Sequence, residues 1–394
     1  MEQKSFNFIG KIPGSKSLFN RALVAVSYAD HSVNILGHSD SQDVDLMRQA
    51  LENLRCYQPI ECGHAGTVLR FMALRASREP GENQLLASKR LLSRPQDEIV
   101  RILCQLGVEA RLYPDRLVIK SLGWKPMGDS LHIPSARSSQ FASAVLMNCW
   151  NLPSSLYLSI SSKMVSRPYW LMTVGMMRHF GMELEKWEGD FRVRSQQKVK
   201  IDRYVVEMDM SSAFAIAAVA AVSGEAVLED FPSKSSQPDS LFPEILVQMG
   251  VSVTRTGNQL RVEKAQELRG IDINLNDSPD LFPVLAVLCV LAQGPSRLWG
   301  ADQLVFKESN RIEKIVELLR KMGRRVESLQ GGIMILGDEP AQPGEIFEFD
   351  TDCDHRLAMA AAVALKANFP VKLHYPEVIA KSFVGFWTSL GIHG

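Results

Sequence analysis

The stretch ILCQLGVEARLYPDRLVI, residues 102–119, contains the plan on which most of the chain is built. An apolar helical segment ends at Gly107, an alternating strand follows over 108–111, and a second strand runs over 116–119 after a polar turn. Glycine often ends helices because it readily adopts the left-handed conformation required there. A period of two in apolar residues is typical of a half-buried hairpin. The stretch therefore predicts a helix followed by a β-hairpin.

The same plan recurs along the chain at nearly constant spacing. Its glycines, which lie 74, 69, 73 and 68 residues apart, are Gly107, Gly181, Gly250, Gly323 and Gly391. A similar helix over 46–54 precedes them, but residues 57–60 lead directly into the next segment without a hairpin. We therefore expect about six αβ copies, with the first hairpin deleted and the last copy ending at the C-terminus. Because this period is longer than that of solenoid repeats, we expect an α+β fold of packed subdomains in two lobes of three copies.

Composition excludes several classes of protein. Of the 394 residues, 46% are hydrophobic and 22% charged, as in ordinary globular proteins. Lys plus Arg and Asp plus Glu both number 44, so no basic excess indicates nucleic acid or a membrane surface as partner. We expect no signal or transit segment, and the most apolar run, 282–292, is too short to span a bilayer. The six scattered cysteines, without a CxxC pair, predict buried free thiols in the cytoplasm.

Basic side chains gather where the predicted helices begin. In residues 13–23, a Pro-Gly turn leads into a helix whose first turns carry Lys16, Ser17 and Arg21. Free backbone N–H groups at such a position favour an anion. Cations lie at the predicted helix starts at Lys16, Arg21, Arg70, Arg94, Lys307, Arg311, Arg356 and Lys381. Since a cation there opposes the helix dipole by about a few tenths of a kcal/mol or more, a shared anionic ligand explains the set better than solvation does.

Each motif alone also has a simpler interpretation. The Lys and Arg of residues 13–23 are typical of a solvated helix face, and Gly63–Arg70 and Ser138–Gln140 are typical of capped helix starts. Asp280 is either a capping carboxylate or, like Glu308, an acid available for proton transfer among the cations. The number of basic helix starts favours the ligand-binding interpretation.

Ten motifs, in collinear order from Lys11 to Phe386, resemble those of the 5-enolpyruvylshikimate-3-phosphate (EPSP) synthase family. They are PGSKSLFNRAL, GHAGTVLR, SRPQ, ARSSQF, MVSRPYW, DMSSAFAIAA, NDSPDLFP, VFKESNRI, DCDHRLAMA and AKSF. The resemblance implies a two-lobed inside-out α/β barrel of βαβαββ-type units. Residues 12–208 would form the upper lobe, residues 1–11 plus 209–394 the lower lobe, and the active site would lie in the cleft between them.

The resemblance also implies a reaction. The enolpyruvyl group of phosphoenolpyruvate would pass to the 5-hydroxyl of shikimate 3-phosphate by addition and elimination through a tetrahedral intermediate, with release of phosphate. The family needs neither a metal nor a cofactor, and no nucleic acid or membrane is implied. We expect a cytoplasmic monomer whose partners are these two small molecules.

Position by position, the resemblance implies two sets of substrate contacts. Shikimate 3-phosphate would be held by Ser17, Arg21, Ser138, Ser139, Ser166, Tyr169, Asp280, Gln303 and Lys307. Phosphoenolpyruvate would be held by Lys16, Gly66, Thr67, Arg94, Gln140, Arg311, Arg356 and Lys381. Lys16, Asp280, Glu308 and Lys381 would be catalytic, with Asp280 as the base at the 5-hydroxyl and Glu308 and Lys16 as proton-transfer groups.

Several positions depart from the family pattern. His64 and Gln303 stand where asparagine is usual, and Phe71 replaces a proline. Gln42 and Asn310 replace acidic residues. Two alternatives therefore stay open. One is an enolpyruvyl transferase for another hydroxylated acceptor, which His64 and Gln303 favour, and the other is a binding protein that has lost catalysis but kept the phosphate site.

Overall fold

Strands and short helices alternate along the chain in this computed structural model, which describes residues 5–128, 130–161, 163–187 and 190–392. The strands are β1 (Phe6–Gly10), β2 (Asn34–Leu36), β3 (Ile60–Gly63), β4 (Gly81–Ala87), β5 (Glu109–Leu112), β6 (Arg116–Ser121), β7 (Ser130–Ile133), β8 (Leu156–Ile160), β9 (Leu184–Trp187), β10 (Asp190–Val193), β11 (Arg203–Val205), β12 (Gly224–Leu228), β13 (Ser252–Thr256), β14 (Gln259–Glu263), β15 (Leu268–Arg269), β16 (Asp272–Asn274), β17 (Ala292–Gln293), β18 (Ser296–Trp299), β19 (Arg325–Leu329), β20 (Gly332–Leu336), β21 (Phe347–Asp350) and β22 (Val371–His374). The helices are α1 (Lys16–Val26), α2 (Gln42–Arg55), α3 (Gly66–Ala76), α4 (Lys89–Ser93), α5 (Asp97–Gln105), α6 (Gln140–Met147), α7 (Arg167–His179), α8 (Met210–Ser223), α9 (Phe242–Gln248), α10 (Phe282–Val290), α11 (Arg311–Lys321), α12 (His355–Lys366) and α13 (Phe386–Ser389).

The described chain forms two compact units, each with its own hydrophobic core. The amino unit comprises residues 16–38 and 42–206, and the carboxyl unit comprises residues 5–15, 39–41 and 207–392. The sequence-based division assigned residues 12–15, 39–41 and 207–208 to the other lobe. Residues 12–15 contact the carboxyl unit, since Ser15 N–H donates to the Glu207 carbonyl and Asp209 N–H donates to the Pro13 carbonyl, both at 2.9 Å. Ser41 Oγ donates to the Lys381 carbonyl at 2.8 Å.

Four-stranded sheets of one topology form the outer part of both units. Their strand orders are β3-β4-β6-β5 and β7-β8-β10-β9 in the amino unit, and β1-β12-β14-β13 and β16-β18-β20-β19 in the carboxyl unit. In each, the first two strands are parallel and the last two form an antiparallel hairpin. These hairpins are the ones predicted from the repeat, so that prediction is confirmed.

Two copies of the repeat lack the hairpin. The parallel pair β2–β11 belongs to the amino unit, and the parallel pair β21–β22 belongs to the carboxyl unit. Helix α2 leads into β3, which starts the next sheet, and α13 follows β22 near the end of the described chain. Within the described residues each unit therefore contains three αβ copies, with the first hairpin missing as predicted.

Helices occupy the centre of each unit. In the carboxyl unit, α8, α10 and α12 pack against one another, and every residue of α10 is buried. In the amino unit, α3 and α6 pack against each other and against α1. The sheet strands instead alternate between buried and exposed residues, as in β14 and β7. Central helices under outer sheets are the inside-out arrangement that the family resemblance implied.

The repeat glycines end helices as predicted, since all five have positive φ.

At Gly107, φ is 72° and an added Cβ would lie 2.5 Å from the Lys125 carbonyl oxygen. We expect Gly107→Ala to lower the free energy of unfolding by about 1–3 kcal/mol, because it adds a steric clash to the left-handed conformation. Urea denaturation measures this. Gly123→Ala is the control, since Gly123 has φ of 85° with no atom within 4 Å of the added Cβ. Equal losses in both variants would show that the clash contributes nothing.

One expectation from the cysteines is wrong. All six are free, but only Cys62, Cys149 and Cys289 are buried, whereas Cys56, Cys104 and Cys353 are exposed. Burial of Cys104 was predicted from its apolar neighbours in α5. Those neighbours, such as Ile102 and Leu103, lie on the buried face of the helix, whereas Cys104 lies on the exposed face. In the described part of the chain, no helix is long and apolar enough to cross a membrane.

Candidate active site

Lys16 begins α1 beside an acid that the sequence did not single out. Its Nζ lies 3.4 Å from Asp43 Oδ2 in the first turn of α2, and both side chains are largely buried. The central helices α1, α3 and α6 have no acidic residue in their own first turns. Asp43 thus holds the ammonium group at a helix start, where it is available to a bound anion.

Arg21 is a buried guanidinium held by neutral oxygens. Its Nε donates to Thr173 Oγ1 at 2.8 Å, and an Nη donates to the Ser17 carbonyl at 2.8 Å. The guanidinium carbon, Cζ, lies 5.3 Å from the centre of the Phe71 ring. The phenylalanine that replaces the family's proline therefore stabilises this arginine by a cation–π contact. Burial lowers the pKa of Arg21 to about 10. A poorly solvated cation of this kind gains from an anionic partner such as a phosphate.

Arg70 joins three elements of the amino unit. Its Nε donates to Gln96 Oε1 at 3.2 Å and an Nη donates to Gln140 Oε1 at 2.8 Å, while its guanidinium stacks over the Phe141 ring at 4.9 Å. The arginine thereby orients Gln140 at the start of α6. The sequence placed Arg70 among the basic helix starts but did not identify these partners.

Four residues of the amino unit that the resemblance assigns to phosphoenolpyruvate lie at the starts of α3 and α6 and in the turn before α5. They are Gly66, Thr67, Arg94 and Gln140. At Gly66, an added Cβ would lie 3.2 Å from Arg94 Nη1, which places these two residues side by side. Thr67 follows Gly66 in the first turn of α3. Gln140 N–H donates to Ser138 Oγ at 3.2 Å. The structure thus brings Gly66 next to Arg94, and Gln140 next to Arg70.

The remaining predicted residues of the amino unit lie at the starts of α6 and α7. Ser139 is buried immediately before α6. Ser166 precedes α7 with φ of 51°, an uncommon conformation for serine. The Tyr169 carbonyl accepts from Thr173 Oγ1 at 3.0 Å, which connects this turn to the partner of Arg21.

A network of ion pairs joins the helix starts of the carboxyl unit. Arg311 donates to Asp354 through Nε at 2.8 Å and Nη2 at 3.1 Å, to Asp280 through Nη1 at 2.8 Å, and to Glu308 through Nη2 at 3.0 Å. Two further contacts continue it: Lys381 Nζ to Glu308 Oε1 at 3.1 Å, and Arg356 Nη2 to Asp280 Oδ2 at 3.2 Å. The members of this ion network are Asp280, Lys307, Glu308, Arg311, Asp354, Arg356 and Lys381.

Local structure explains why these side chains converge. Asp354 caps α12 by accepting the Arg356 N–H at 3.0 Å, and Asn310 caps α11, which begins at Arg311. Asp280 lies in the 3-10 turn Pro279–Leu281 that leads into α10. Lys381 ends the 3-10 turn Pro376–Lys381, and its carbonyl accepts from Ser41 Oγ at 2.8 Å. Each charge is therefore fixed by the start of a helix or by a short turn.

Electrostatics in the network favour ionised carboxylates. Burial alone raises the pKa of Asp280, but the charges of Arg356, Lys307 and Arg311 outweigh it and hold that pKa well below its usual range. Lys307 Nζ lies 3.8 Å from Asp280 Oδ1. Burial also disfavours the charged form of Arg311 and so lowers its pKa, but the negative charges of Asp354, Glu308 and Asp280 raise that pKa above the ordinary value. Asp280 is therefore ionised throughout the neutral range, and its contribution to stability is lost only as the pH falls through its lowered pKa.

The explanation offered for the basic helix starts needs one correction. An anionic ligand was expected to compensate all of them. In the carboxyl unit, Asp280, Glu308 and Asp354 already offset the cost of placing Arg311 and Arg356 at helix starts. A dianionic ligand would therefore exchange with existing carboxylate partners here.

Two further departures from the family pattern, besides Phe71 and Asn310, have defined contacts. Gln303, buried in the 3-10 turn Asp302–Phe306, donates through Nε2 to the Asn276 carbonyl at 3.2 Å. His64 Nδ1 lies 3.0 Å from Ser88 Oγ, which also caps α4. No group of three or more His, Cys, Asp or Glu that could hold a metal ion occurs among the residues described.

The fold and the site define a class: a protein of repeated αβ units whose cationic helix starts are suited to anionic ligands. Comparison with known proteins identifies the family. The sequence model of EPSP synthase (3-phosphoshikimate 1-carboxyvinyltransferase) matches residues 56–390. The 3-phosphoshikimate 1-carboxyvinyltransferase of Pasteurella multocida is 31% identical over 96% of this chain and 93% of its own length. That of Methanocorpusculum labreanum is 33% identical over 83% of this chain and 76% of its own.

Solved structures agree on the fold. An EPSP synthase of Acinetobacter baumannii is similar with a TM-score of 0.78 at 22% identity, covering 98% of this chain and 95% of that one. The enolpyruvyl transferase NikO of Streptomyces tendae is similar with a TM-score of 0.75 at 15% identity, covering 98% and 94%. The chain belongs to the EPSP synthase family.

Proposed function

We propose that the protein is a 3-phosphoshikimate 1-carboxyvinyltransferase of the shikimate pathway. It transfers the enolpyruvyl group of phosphoenolpyruvate to the 5-hydroxyl of shikimate 3-phosphate and releases phosphate. Family membership supports this activity, and the observation that carries it is the ion network, in which Arg311 and Lys381 hold the carboxylate of Glu308. Guanidinium and ammonium groups paired with an exchangeable carboxylate suit the carboxylate and phosphate of phosphoenolpyruvate.

The proposed substrate contacts divide between the two units. In the amino unit, Ser17, Arg21, Ser138, Ser139, Ser166 and Tyr169 would hold shikimate 3-phosphate, and Lys16, Gly66, Thr67, Arg94 and Gln140 would hold phosphoenolpyruvate. In the carboxyl unit, Asp280, Gln303 and Lys307 would contact shikimate 3-phosphate, and Arg311, Arg356 and Lys381 would contact phosphoenolpyruvate. The buried, weakly solvated charge of Arg21 supports its assignment to a phosphate.

In the addition step, Asp280 would accept the proton of the 5-hydroxyl as its oxygen bonds to the central carbon of phosphoenolpyruvate. The methylene carbon takes a proton from Glu308 or Lys16, which gives the tetrahedral intermediate. In the elimination step, the new methyl group returns that proton to the group that supplied it, the bond between the central carbon and the phosphate oxygen breaks, and the phosphate leaves beside the cations. Asp280 is a weak base while three cations surround it. Phosphoenolpyruvate would draw Arg311 and Arg356 away from Asp280, and its pKa would then rise.

A phosphate-release assay tests the proposal. Purified protein should release phosphate only when phosphoenolpyruvate and shikimate 3-phosphate are both present, and the organic product should carry the enolpyruvyl group by mass spectrometry. Release with a different hydroxylated acceptor and not with shikimate 3-phosphate would contradict the assigned acceptor. Binding of both compounds without release would contradict the activity itself.

Within this assay, Lys16→Met should lower kcat about a hundredfold, since it removes a cation that contacts the leaving phosphate and a proton-transfer group. Lys11→Met is the matched control, because Lys11 is an exposed lysine that pairs with Asp230 at 2.7 Å. A Lys16 variant as active as the Lys11 variant would remove Lys16 from the site.

A further inference from the structure

Two Pro-Asp turns of the same sequence design contact each other in the carboxyl unit. The turn Pro238–Leu241 precedes α9 within QPDSLFP, and the turn Pro279–Leu281 precedes α10 within SPDLFP. Ser278 Oγ donates to the Pro238 carbonyl at 2.8 Å in a buried hydrogen bond. The aspartates that follow these prolines, Asp239 and Asp280, are therefore carried on two turns tied directly to each other.

Asp239 is enclosed by the start of α8 and by a cation of the ion network. It is 2% exposed, and Ser211 Oγ in the first turn of α8 donates to its carboxylate. Arg356, which donates to Asp280, also attracts Asp239 and the α8 cap Asp209 electrostatically. Charged groups that act on Asp239 therefore include Asp280, Arg356 and Asp209, which belong to three different elements.

The carboxyl groups of Asp239 and Asp280 have different pKa values because their environments differ. Burial, followed by the negative charge of Asp280, raises the pKa of Asp239 to about 7, although Arg356 and Ser211 oppose this. The cations hold the pKa of Asp280 far lower. When two interacting acids are separated in this way, one stays ionised and the other exchanges its proton near neutral pH.

We propose that Asp239 is a positioning residue that sets the charge acting on Asp280, through their shared Arg356 and the contact between the two Pro-Asp turns. The inference rests on the proposed function, in which Asp280 accepts the proton of the acceptor hydroxyl. When Asp239 is ionised, it neutralises part of the charge of Arg356, and Asp280 becomes a stronger base. When Asp239 is protonated, Arg356 acts on Asp280 alone, and the base is weaker.

The pH dependence of kcat tests this role. In the unmodified protein, kcat should rise with pH through a step near the pKa of Asp239. Asp239→Asn, which is always neutral, should lose that step and remain about tenfold below the unmodified protein at pH 8, with undiminished affinity for phosphoenolpyruvate. Because the substrates titrate identically in every sample, the difference between the two profiles isolates Asp239.

A second variant keeps the test decisive if Asp239→Asn does not fold. The Ser211 hydroxyl favours the ionised form of Asp239, so Ser211→Ala should raise the pKa of Asp239 and move the step to higher pH. Ser240→Ala, next to Asp239 in the same turn, should leave the step in place. A step that Asp239→Asn retains, or that Ser211→Ala does not move, would overturn the proposal.

Thermal unfolding separates this role from a structural one and needs no turnover. Because the pKa of Asp239 is raised in the folded protein, the folded state binds the extra proton between its ordinary pKa of 3.8 and about 7, and stability falls as the pH rises through that window. Asp239→Asn should therefore raise Tm by a few degrees at pH 8 and by clearly less at pH 5, near the lower end of that window. A lower Tm at both pH values would mean that Asp239 serves packing alone. Absence of turnover in the unmodified protein, together with the expected Tm pattern, would contradict the proposed function but leave the charge coupling in place.

Discussion

Asp280→Asn should lower kcat about a thousandfold while phosphoenolpyruvate binds as tightly as before or more tightly. The amide cannot accept the hydroxyl proton, so the addition step loses its base. At the same time Arg311, Arg356 and Lys307 lose a negative partner that lies 2.8, 3.2 and 3.8 Å away. Their uncompensated charge then favours the dianion. Stopped-flow or steady-state kinetics with titration of each substrate separate the two effects.

The matched control is Asp277→Asn, the same substitution at an exposed aspartate three residues earlier. It should leave both kcat and substrate affinity unchanged. A kcat for Asp280→Asn within threefold of the control, measured with saturating substrates, would show that another group accepts the proton. If Asp280→Asn lowered the affinity for substrate and left kcat unchanged, Asp280 would be a binding residue only.

Asp354→Ala should lower the free energy of unfolding by about 3–5 kcal/mol, because it leaves the buried guanidinium of Arg311 without its bidentate partner. Asp354 is fully buried and also accepts from Ser309 Oγ at 2.9 Å and from the Arg356 N–H that it caps. The carboxyl unit should therefore unfold at lower urea concentration. Because Arg311 and Arg356 would also move, activity should fall with stability.

Glu348→Gln provides the comparison for Asp354→Ala. Glu348 pairs with Lys372 at 2.8 Å and with His374 at 3.2 Å, but all three side chains are exposed. Water solvates these charges when a partner is lost, so the urea midpoint should not change. If the two variants shifted the midpoint equally, the burial of Asp354 would have no energetic consequence.

The repeat was predictable because its signals are local. A glycine after an apolar helix and the alternation of two strands are both readable within about twenty residues, and the hairpin after Gly107 forms where that pattern lies. The missing hairpin after α2 was equally visible as missing sequence. The second role of Asp354 was less predictable, because this residue caps α12 and is also the partner of Arg311 on another element.

The partners of the site residues depend on tertiary contacts, and the sequence could not supply them. Asp43 lies 27 residues from Lys16, and Thr173 lies 152 residues from Arg21. Nothing in either local pattern marks these residues. Asp239 differs, since its Pro-Asp turn repeats the design around Asp280. Comparison of those two motifs would have identified it as a second acid.

The pairing of β1 has a consequence for how the chain folds during synthesis. Phe6 pairs with Gly224, whereas every strand of the amino unit pairs within residues 34–205. At roughly 5–20 residues per second, the ribosome makes β12 on the order of 10–40 s after β1. During this interval the apolar side chains of Phe6 and Phe8 have no strand to join, although the amino unit can already fold. Strand β1 therefore cannot pair until β12 has been made, and we expect chaperones to bind newly made chains at β1.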